Sequence, residues 1–358
     1  MSQQTAPSNR FRTPAEWEPH AATWIAWPHN PDDWPGKFQP IPWVYCEIVR
    51  WLSNAEDVHI LINDDAAEKR ARRMLLKAGA NMARLHFHPW RTDRVWLRDS
   101  GPIFVKDTAD EDRLTVTNWR FNAWAKYDNW HNDDLIPQHV SELYAMPKVE
   151  PVVKLADGTE HRLVLEGGSI DTNGAGVMLS TEECLLSEVQ QRNPGVSKEQ
   201  LEAAFRDYLG IEKVLWLHRG CAGDDTHGHV DDVTRFVGTN TILTAIEPNT
   251  ADENHLPLAE NLERLHAARN LDNQPFEIRT LPMPAPVAFE GQRLPASYAN
   301  FYLCNRLVLV PTFNDPNDRV ALNTVAACFP ERIVTGIHCT DFIWGLGALH
   351  CMTQQEPA

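Results

Sequence analysis

The sequence predicts an α/β protein built as one compact domain, and three observations predict it. Short β-branched and aromatic runs alternate with amphipathic helical stretches along the whole chain. No linker-like tract, low-complexity run or evident sequence repeat divides it. A length of 358 residues, 43% of them hydrophobic and 23% charged, supplies ample material for one large core. The domain is expected over residues 14–358, behind a flexible arm at 1–13.

Taken in order, Trp24–Trp27 is the first strand, apolar and aromatic, and Pro28 ends it. Val58–Ile62 is a second strand, and Ala66–Ala78 a basic helix closed by Gly79. Ile103–Val105 and Leu114–Phe121 follow as strands, the second alternating with period two. Ser197-Lys-Glu-Gln200 has the pattern of a capping box. Behind it Leu201, Phe205 and Leu209 recur four apart, Gly210 closes the helix, and Val214–Leu217 is a buried strand. A helix beyond Pro257 carries Leu258, Leu262 and Leu265 on one face, and Leu307–Val310 and Arg332–Ile337 are late strands.

Composition narrows the function. No stretch approaches the roughly eighteen consecutive apolar residues of a membrane span, and the first ten residues lack the apolar core of a secretory signal. The seven cysteines are odd in number and scattered, without a C-x-x-C, which argues against a disulfide framework or a structural zinc site and for a reducing cytoplasm. A formal charge of −16 disfavours nucleic acid as a partner and suits a small cation.

Cys351 is the candidate nucleophile. It follows a Gly345-Leu-Gly347 bend and precedes polar Thr353, Gln354 and Gln355. A thiol of this kind needs a proton-transfer partner, drawn from distant sequence. In Trp96-Leu-Arg98-Asp99-Ser-Gly-Pro102, Asp99 sits at a strand end beside an aromatic wall, Trp96. A carboxylate takes two parallel N–H bonds from a guanidinium, so this pair suits a planar cation; the competing reading is a surface Arg–Asp pair at a turn. Glu166 precedes Gly167-Gly168, which mark either a tight loop or space cleared for a ligand. Asp224–Asp232 is the densest stretch, and if extended it places His227, His229 and Asp231 on one face.

Two chemistries compete there. A zinc hydrolase would use His227, His229 and Asp231 as ligands. A thiol hydrolase would use His229 as general acid and base and Asp231 as a second carboxylate grip. The second reading also employs Cys351 and Asp99, and it is favoured on economy.

Trp-Leu-Arg-Asp-Ser-Gly-Pro (96–102), Glu-Gly-Gly-Ser-Ile-Asp (166–171), Gly-His-Val-Asp (228–231) and His-Cys-Met-Thr-Gln-Gln-Glu-Pro (350–357) stand here in the order found in agmatine deiminases of the bacterial-type peptidylarginine deiminase family, which the chain resembles. Shorter runs agree, among them Phe121-Asn-Ala-Trp124, Thr181–Leu186 and Ser297–Phe301. The resemblance implies a pentein fold, a five-bladed α/β propeller with pseudo-fivefold symmetry. It implies hydrolysis of a guanidinium to a ureido group and ammonia, without a cofactor or metal, and a possible homodimer. It makes Cys351 the nucleophile and His229 the acid/base; Asp99 and Asp231 bind the guanidinium, Glu166 supports the site, and Trp96 lines the channel. Agmatine would give N-carbamoylputrescine; peptidyl-arginine deimination and amidino transfer are the alternatives. Glu16 and Glu18 are candidates to hold the far amine. The chain departs from the family pattern at Gly345–His350, where a longer glycine run is usual, and at His227, where Asp or Asn is frequent.

Overall fold

The computed structural model describes residues 10–358. Its backbone is a mixed α/β fold in which one strand plan recurs in five sheets of three or four strands. In each, two antiparallel strands are followed by a helical crossover and a third strand that lies parallel to the second. One sheet runs Asp171–Thr172, Val177–Thr181, then helix Lys198–Leu209 and strand Lys213–Leu217. The next runs Thr234–Gly238, Thr241–Ile246, helix His255–Ala267 and Glu277–Pro282. Another runs Tyr302–Cys304, Leu307–Thr312, helix Asn317–Cys328 and Ile333–His338. Ile103–Asp107 and Asp110–Thr117 repeat the plan with helix Ile136–Tyr144 and strand Lys148–Val149.

The remaining sheet joins the two ends of the chain. Gln354–Pro357 pairs antiparallel with His20–Ala26, which runs parallel to Asp57–Leu61 after helix Ile41–Ala55. The junction is also tied by side chains, because the Trp24 indole N–H donates to Glu356 Oε2 at 2.7 Å. This closure brings Cys351, at the end of the sequence, beside residues from its beginning. The repetition is one of topology and not of letters, which is why no repeat is evident in the sequence.

The local signals behave as chemistry requires. Ser197 Oγ accepts from the Gln200 N–H at 3.3 Å while Gln200 Oε1 accepts from the Ser197 N–H at 3.0 Å, a complete capping box. Gly210 ends that helix at φ +70°, and Leu201, Phe205 and Leu209 are buried beneath it. Each such side chain contributes about 2 kcal/mol by leaving water. The basic helix spans Asp65–Ala78 and stops at Gly79, φ +79°.

Some expectations shift. The strand ending at Pro28 is His20–Ala26, and the strand expected to reach Phe121 stops at Thr117. Of the expected arm, residues 1–9 lie outside the described residues, whereas Phe11–Arg12 form a strand on the edge of Ile103–Asp107. The buried Phe11 side chain and the close approach of its carbonyl to Gly210 fix that segment in place. Helices such as Ile41–Ala55, Ile136–Tyr144 and Asn317–Cys328 lack a side-chain N-cap and so lack the start signal that the capping box gives. Among the described residues no helix is long and apolar enough to cross a membrane.

Candidate active site

Each of these five sheets contributes a side chain from the segment that leads into its first antiparallel strand. Asp99 lies on the one-turn helix Leu97–Ser100 ahead of Ile103–Asp107. Glu166 precedes the turn Gly167–Ser169 and strand Asp171–Thr172. His229 and Asp231 lead into Thr234–Gly238, Asn300 into Tyr302–Cys304, and Cys351 into Gln354–Pro357. The five entries converge, and two of their residues, Asp99 and Cys351, face a cavity of about 220 Å³ that the rings of Trp96, Trp124 and Trp344 also line.

Cys351 is buried, its Sγ 3.0 Å from the donating Asn300 Nδ2 and 3.8 Å from Asp231 Oδ2. Burial, with Asp231, Asp232 and Asp99 alongside, pushes the thiol well above its ordinary value. The protein's own groups therefore keep the sulfur protonated.

Asp99 accepts from the Trp124 indole N–H at 2.9 Å through one oxygen and from the Gly168 N–H at 3.0 Å through the other. Burial pushes its carboxyl up to about 6; His229 opposes this, while Asp231 and Glu166 add to it. Trp124 is held in that contact by a left-handed turn, Ala123, Trp124 and Ala125 having φ of 48°, 59° and 53°. Side chains seldom adopt this conformation, and three in succession mark a segment constrained by its surroundings.

His229 is wholly buried among acids. Nδ1 lies 3.7 Å from Asp99 Oδ1 and 4.0 Å from Asp231 Oδ1, and Nε2 lies 3.9 Å from Glu166 Oε2. Burial alone disfavours the charged ring, but Asp99, Cys184 and Glu166 outweigh it and hold the imidazole well above its ordinary range. Among the described residues neither ring nitrogen, nor Asp231 Oδ1, nor Glu166 Oε2, has a hydrogen-bond partner. Unsatisfied polar atoms this deep are costly, and here they face one another across the site. Glu166 is anchored on its other oxygen by the Arg192 Nε–H at 3.0 Å; although burial opposes ionisation, Arg192 and His229 hold its carboxyl down to about 2.

The glycines beside Glu166 clear space for the protein's own atoms. A Cβ on Gly168 would stand 2.6 Å from His229 Nδ1 and 2.8 Å from Asp99 Oδ1, and one on Gly167 would stand 2.2 Å from the Arg98 carbonyl. The bend before Cys351 works in the same way. A Cβ on Gly345 would strike the Trp34 ring at 2.6 Å and one on Gly347 the Trp96 ring at 2.8 Å, while the left-handed residue between them is Leu346, φ 65°.

Behind the site runs a buried polar chain that sequence reasoning missed. His350 Nδ1 meets Asp231 Oδ2 at 2.6 Å and His350 Nε2 meets Glu16 Oε2 at 2.7 Å. Glu16 takes further bonds from Arg235 Nη2 at 2.6 Å and the Leu303 N–H at 2.8 Å. Burial opposes ionisation of Glu16, but Arg235, His350 and Arg98 keep its carboxyl well below the usual range. Arg98 is buried too, donating to Gln355 Oε1 at 2.6 Å. The chain fixes the side of Asp231 that faces away from His229.

Cys351, His229, Asp99, Asp231 and Glu166 are thus brought together, with Trp96 on the cavity wall. Other expectations are corrected. The His227–Asp231 segment is not extended: His227 and Gly228 have φ of 65° and 96°, and Val230–Asp232 is a 3-10 turn. His227 consequently turns away to Ser187 Oγ at 3.3 Å, so the zinc set of His227, His229 and Asp231 does not share a face. Among the described residues, the groups whose ligand atoms do lie within 4.8 Å of one another are Glu166–Cys184–His229 and Asp231–Asp232–Cys351. Asp99 stands on a helical turn and not on a strand. Glu16 lies under the site and Glu18 is tied to Arg12 at 2.7 Å, so neither carboxylate reaches the cavity mouth. Asn300 and Trp124 belong to runs that carry the resemblance, the one signal that could have found them.

Gly168→Ala is expected to push His229 and Asp99 apart, lowering turnover at least tenfold while costing about 1–3 kcal/mol of stability. Steady-state ammonia release and thermal unfolding of the purified variant check this, and wild-type turnover would refute it.

A family model for Porphyromonas-type peptidyl-arginine deiminases matches residues 12–357. A protein of Selenomonas ruminantium is 38% identical over 379 residues, covering 100% of this chain and 99% of its own. An agmatine deiminase of Pseudomonas aeruginosa (strain LESB58) is 31% identical over 377 residues, covering 99% and 97%. Among solved structures, the agmatine deiminase of Enterococcus faecalis matches with a TM-score of 0.87 at 29% identity, over 99% of both chains. A C. jejuni agmatine deiminase with substrate bound matches with a TM-score of 0.85 at 27% identity, over 100% of this chain and 99% of that one. The match to one family model runs through all five site-bearing segments, and the chain belongs to the Porphyromonas-type peptidyl-arginine deiminase family.

Proposed function

We propose that this protein is a deiminase that hydrolyses agmatine to N-carbamoylputrescine and ammonia through a covalent intermediate on Cys351. The observation that carries the reading is the pair of buried carboxylates, Asp99 and Asp231, set beside one thiol and one imidazole. A site with that excess of negative charge favours a planar cation, and a guanidinium offers N–H bonds on both sides of its reactive carbon. The relatives named agmatine deiminases support agmatine as the guanidine.

The proposed course is as follows. The guanidinium binds between Asp99 and Asp231, which hold it in plane and align its central carbon with the sulfur. Its positive charge offsets the carboxylates that keep the Cys351 thiol protonated, so the substrate itself brings about loss of the S–H proton to solvent through the cavity that Cys351 lines. The thiolate attacks the carbon. Charged His229 gives its proton to the departing nitrogen, and the C–N bond breaks to release ammonia and leave an amidino-thioether. Neutral His229 then takes a proton from water as the oxygen attacks; the C–S bond breaks, the remaining hydroxyl proton passes to the departing sulfur, and the ureido product leaves. Glu166, anchored by Arg192, keeps the His229 ring charged between turnovers.

We also propose that the five sheets close into a pseudo-fivefold propeller about the cavity, supported by their common strand plan and the pairing of the two chain ends. A cytoplasmic setting is supported by seven free cysteines.

Cys351→Ala is expected to lose activity by about 10⁴-fold or more with its unfolding temperature nearly unchanged; ammonia release at the wild-type rate would remove Cys351 from the mechanism. The Asp99 carboxyl, raised to about 6, must be ionised to grip the cation. Lowering the pH through 6 protonates it, so kcat/KM for agmatine is expected to fall on the acid side of about pH 6. A flat profile down to pH 5 would contradict that role.

A further inference from the structure

The far end of the substrate still lacks a partner, and the cavity wall carries a carboxylate suited to it. Three acids line the cavity away from Cys351: Asp32, Asp33 and Asp225. Both oxygens of Asp225 are already engaged, one by Lys126 Nζ and the other by the Tyr127 O–H at 2.7 Å. Asp32 is exposed to solvent, where an ion pair gains little. Asp33 differs from both. Its side chain is fully buried, Oδ1 accepts from Arg94 Nη1 at 2.8 Å, and Oδ2 has no partner among the described residues.

The placement of Asp33 follows from contacts on the cavity wall. Asp99 Oδ2 is 2.9 Å from the Trp124 indole N–H, the Arg94 guanidinium is 5.8 Å from the Trp124 ring, and Asp33 is bonded to Arg94. One aromatic ring and one guanidinium therefore stand between the Asp99 carboxylate and that of Asp33 along the cavity wall. Arg94 is itself committed, stacked 4.1 Å from the Tyr127 ring and donating to Asn129 Oδ1 at 3.1 Å. It neutralises one face of Asp33 and leaves the other. The loop is held firmly, since the Trp34 indole N–H donates to the Phe342 carbonyl at 2.7 Å and Gly345 packs against the same ring.

We infer that Asp33 is a specificity-determining residue, whose free carboxylate oxygen receives the terminal ammonium of an aminoalkylguanidine. This rests on the deiminase reading and names what that site selects: a substrate with a second cation and no carboxylate beside it. A carboxylate at that end would meet Asp32, Asp33 and Asp225, with Arg94 already bonded to Asp33. The burial that pushes the free Asp33 carboxyl up to about 7 is relieved when a second cation arrives.

The test compares agmatine with n-butylguanidine, which has the same chain length and no amine, on wild type, Asp33→Asn and Asp32→Asn. The inference expects the ratio of kcat/KM for agmatine over n-butylguanidine to fall at least tenfold in Asp33→Asn, through KM for agmatine. It expects a smaller fall in Asp32→Asn. Equal losses on both substrates, or equal falls in the two variants, would overturn it. The ratio is read within one preparation, so partial unfolding cancels. Should Asp33→Asn not fold, Asp33→Glu keeps the charge and advances it by one methylene. Preference must then move toward 3-aminopropylguanidine, and an unmoved preference overturns the inference. Failure of wild type to release ammonia from either guanidine would instead sink the deiminase reading.

Discussion

The burial of several carboxylates around a single thiol is the constraint on which the rest of this structure depends. Asp99, Asp231, Asp232 and Glu166 are withdrawn from water within reach of Cys351 or His229. Charges taken into a low-dielectric interior are costly unless each is bonded or paired. The protein meets that demand in part, with Arg192 on Glu166, the Trp124 indole and Gly168 N–H on Asp99, and His350 on Asp231. What remains is a deficit of positive charge at the sulfur, and a guanidinium is the species that fills it. In the proposed mechanism binding and activation are then one event, because the cation that is recognised is also the one that makes the thiolate.

The architecture serves this arrangement by repetition. Each of the five larger sheets delivers its contribution from the same structural place, the segment entering its first antiparallel strand, so five short stretches far apart in sequence reach one site. Pairing Gln354–Pro357 onto His20–Ala26 makes the last contribution, Cys351, as firmly held as the others. Glycines are placed where those stretches nearly touch. Gly168 lets His229 and Asp99 approach each other, and Gly347 lets Trp96 approach Cys351.

Much of this was legible from the residues. The capping box at Ser197, the glycine stops at Gly79 and Gly210 and the apolar runs marked elements because each signal acts within a few residues. Helix Ile41–Ala55 was not legible, since Pro40 stands where a capping side chain is usual and the stretch is rich in aromatic and β-branched residues, which read as strand. The nucleophile, the imidazole and the paired acids were visible as compact motifs. The roles of Asn300, His350 and Glu16 were not, because they arise only from partners on other sheets: apart from the family resemblance, an Asn within an aromatic run gives no sign that it will point at a sulfur. The metal reading of His227 failed on a local matter, the left-handed turn at His227–Gly228 that replaces the extended segment it required.

The same charge deficit offers the sharpest test. Thiolate ultraviolet absorbance, taken as the difference between wild type and Cys351→Ser, reports the ionisation of this one sulfur. At neutral pH the account predicts no thiolate signal from the free protein and its appearance on saturation with an unreactive guanidinium compound. A thiolate already present in the free protein, or none once the cation is bound, would contradict it.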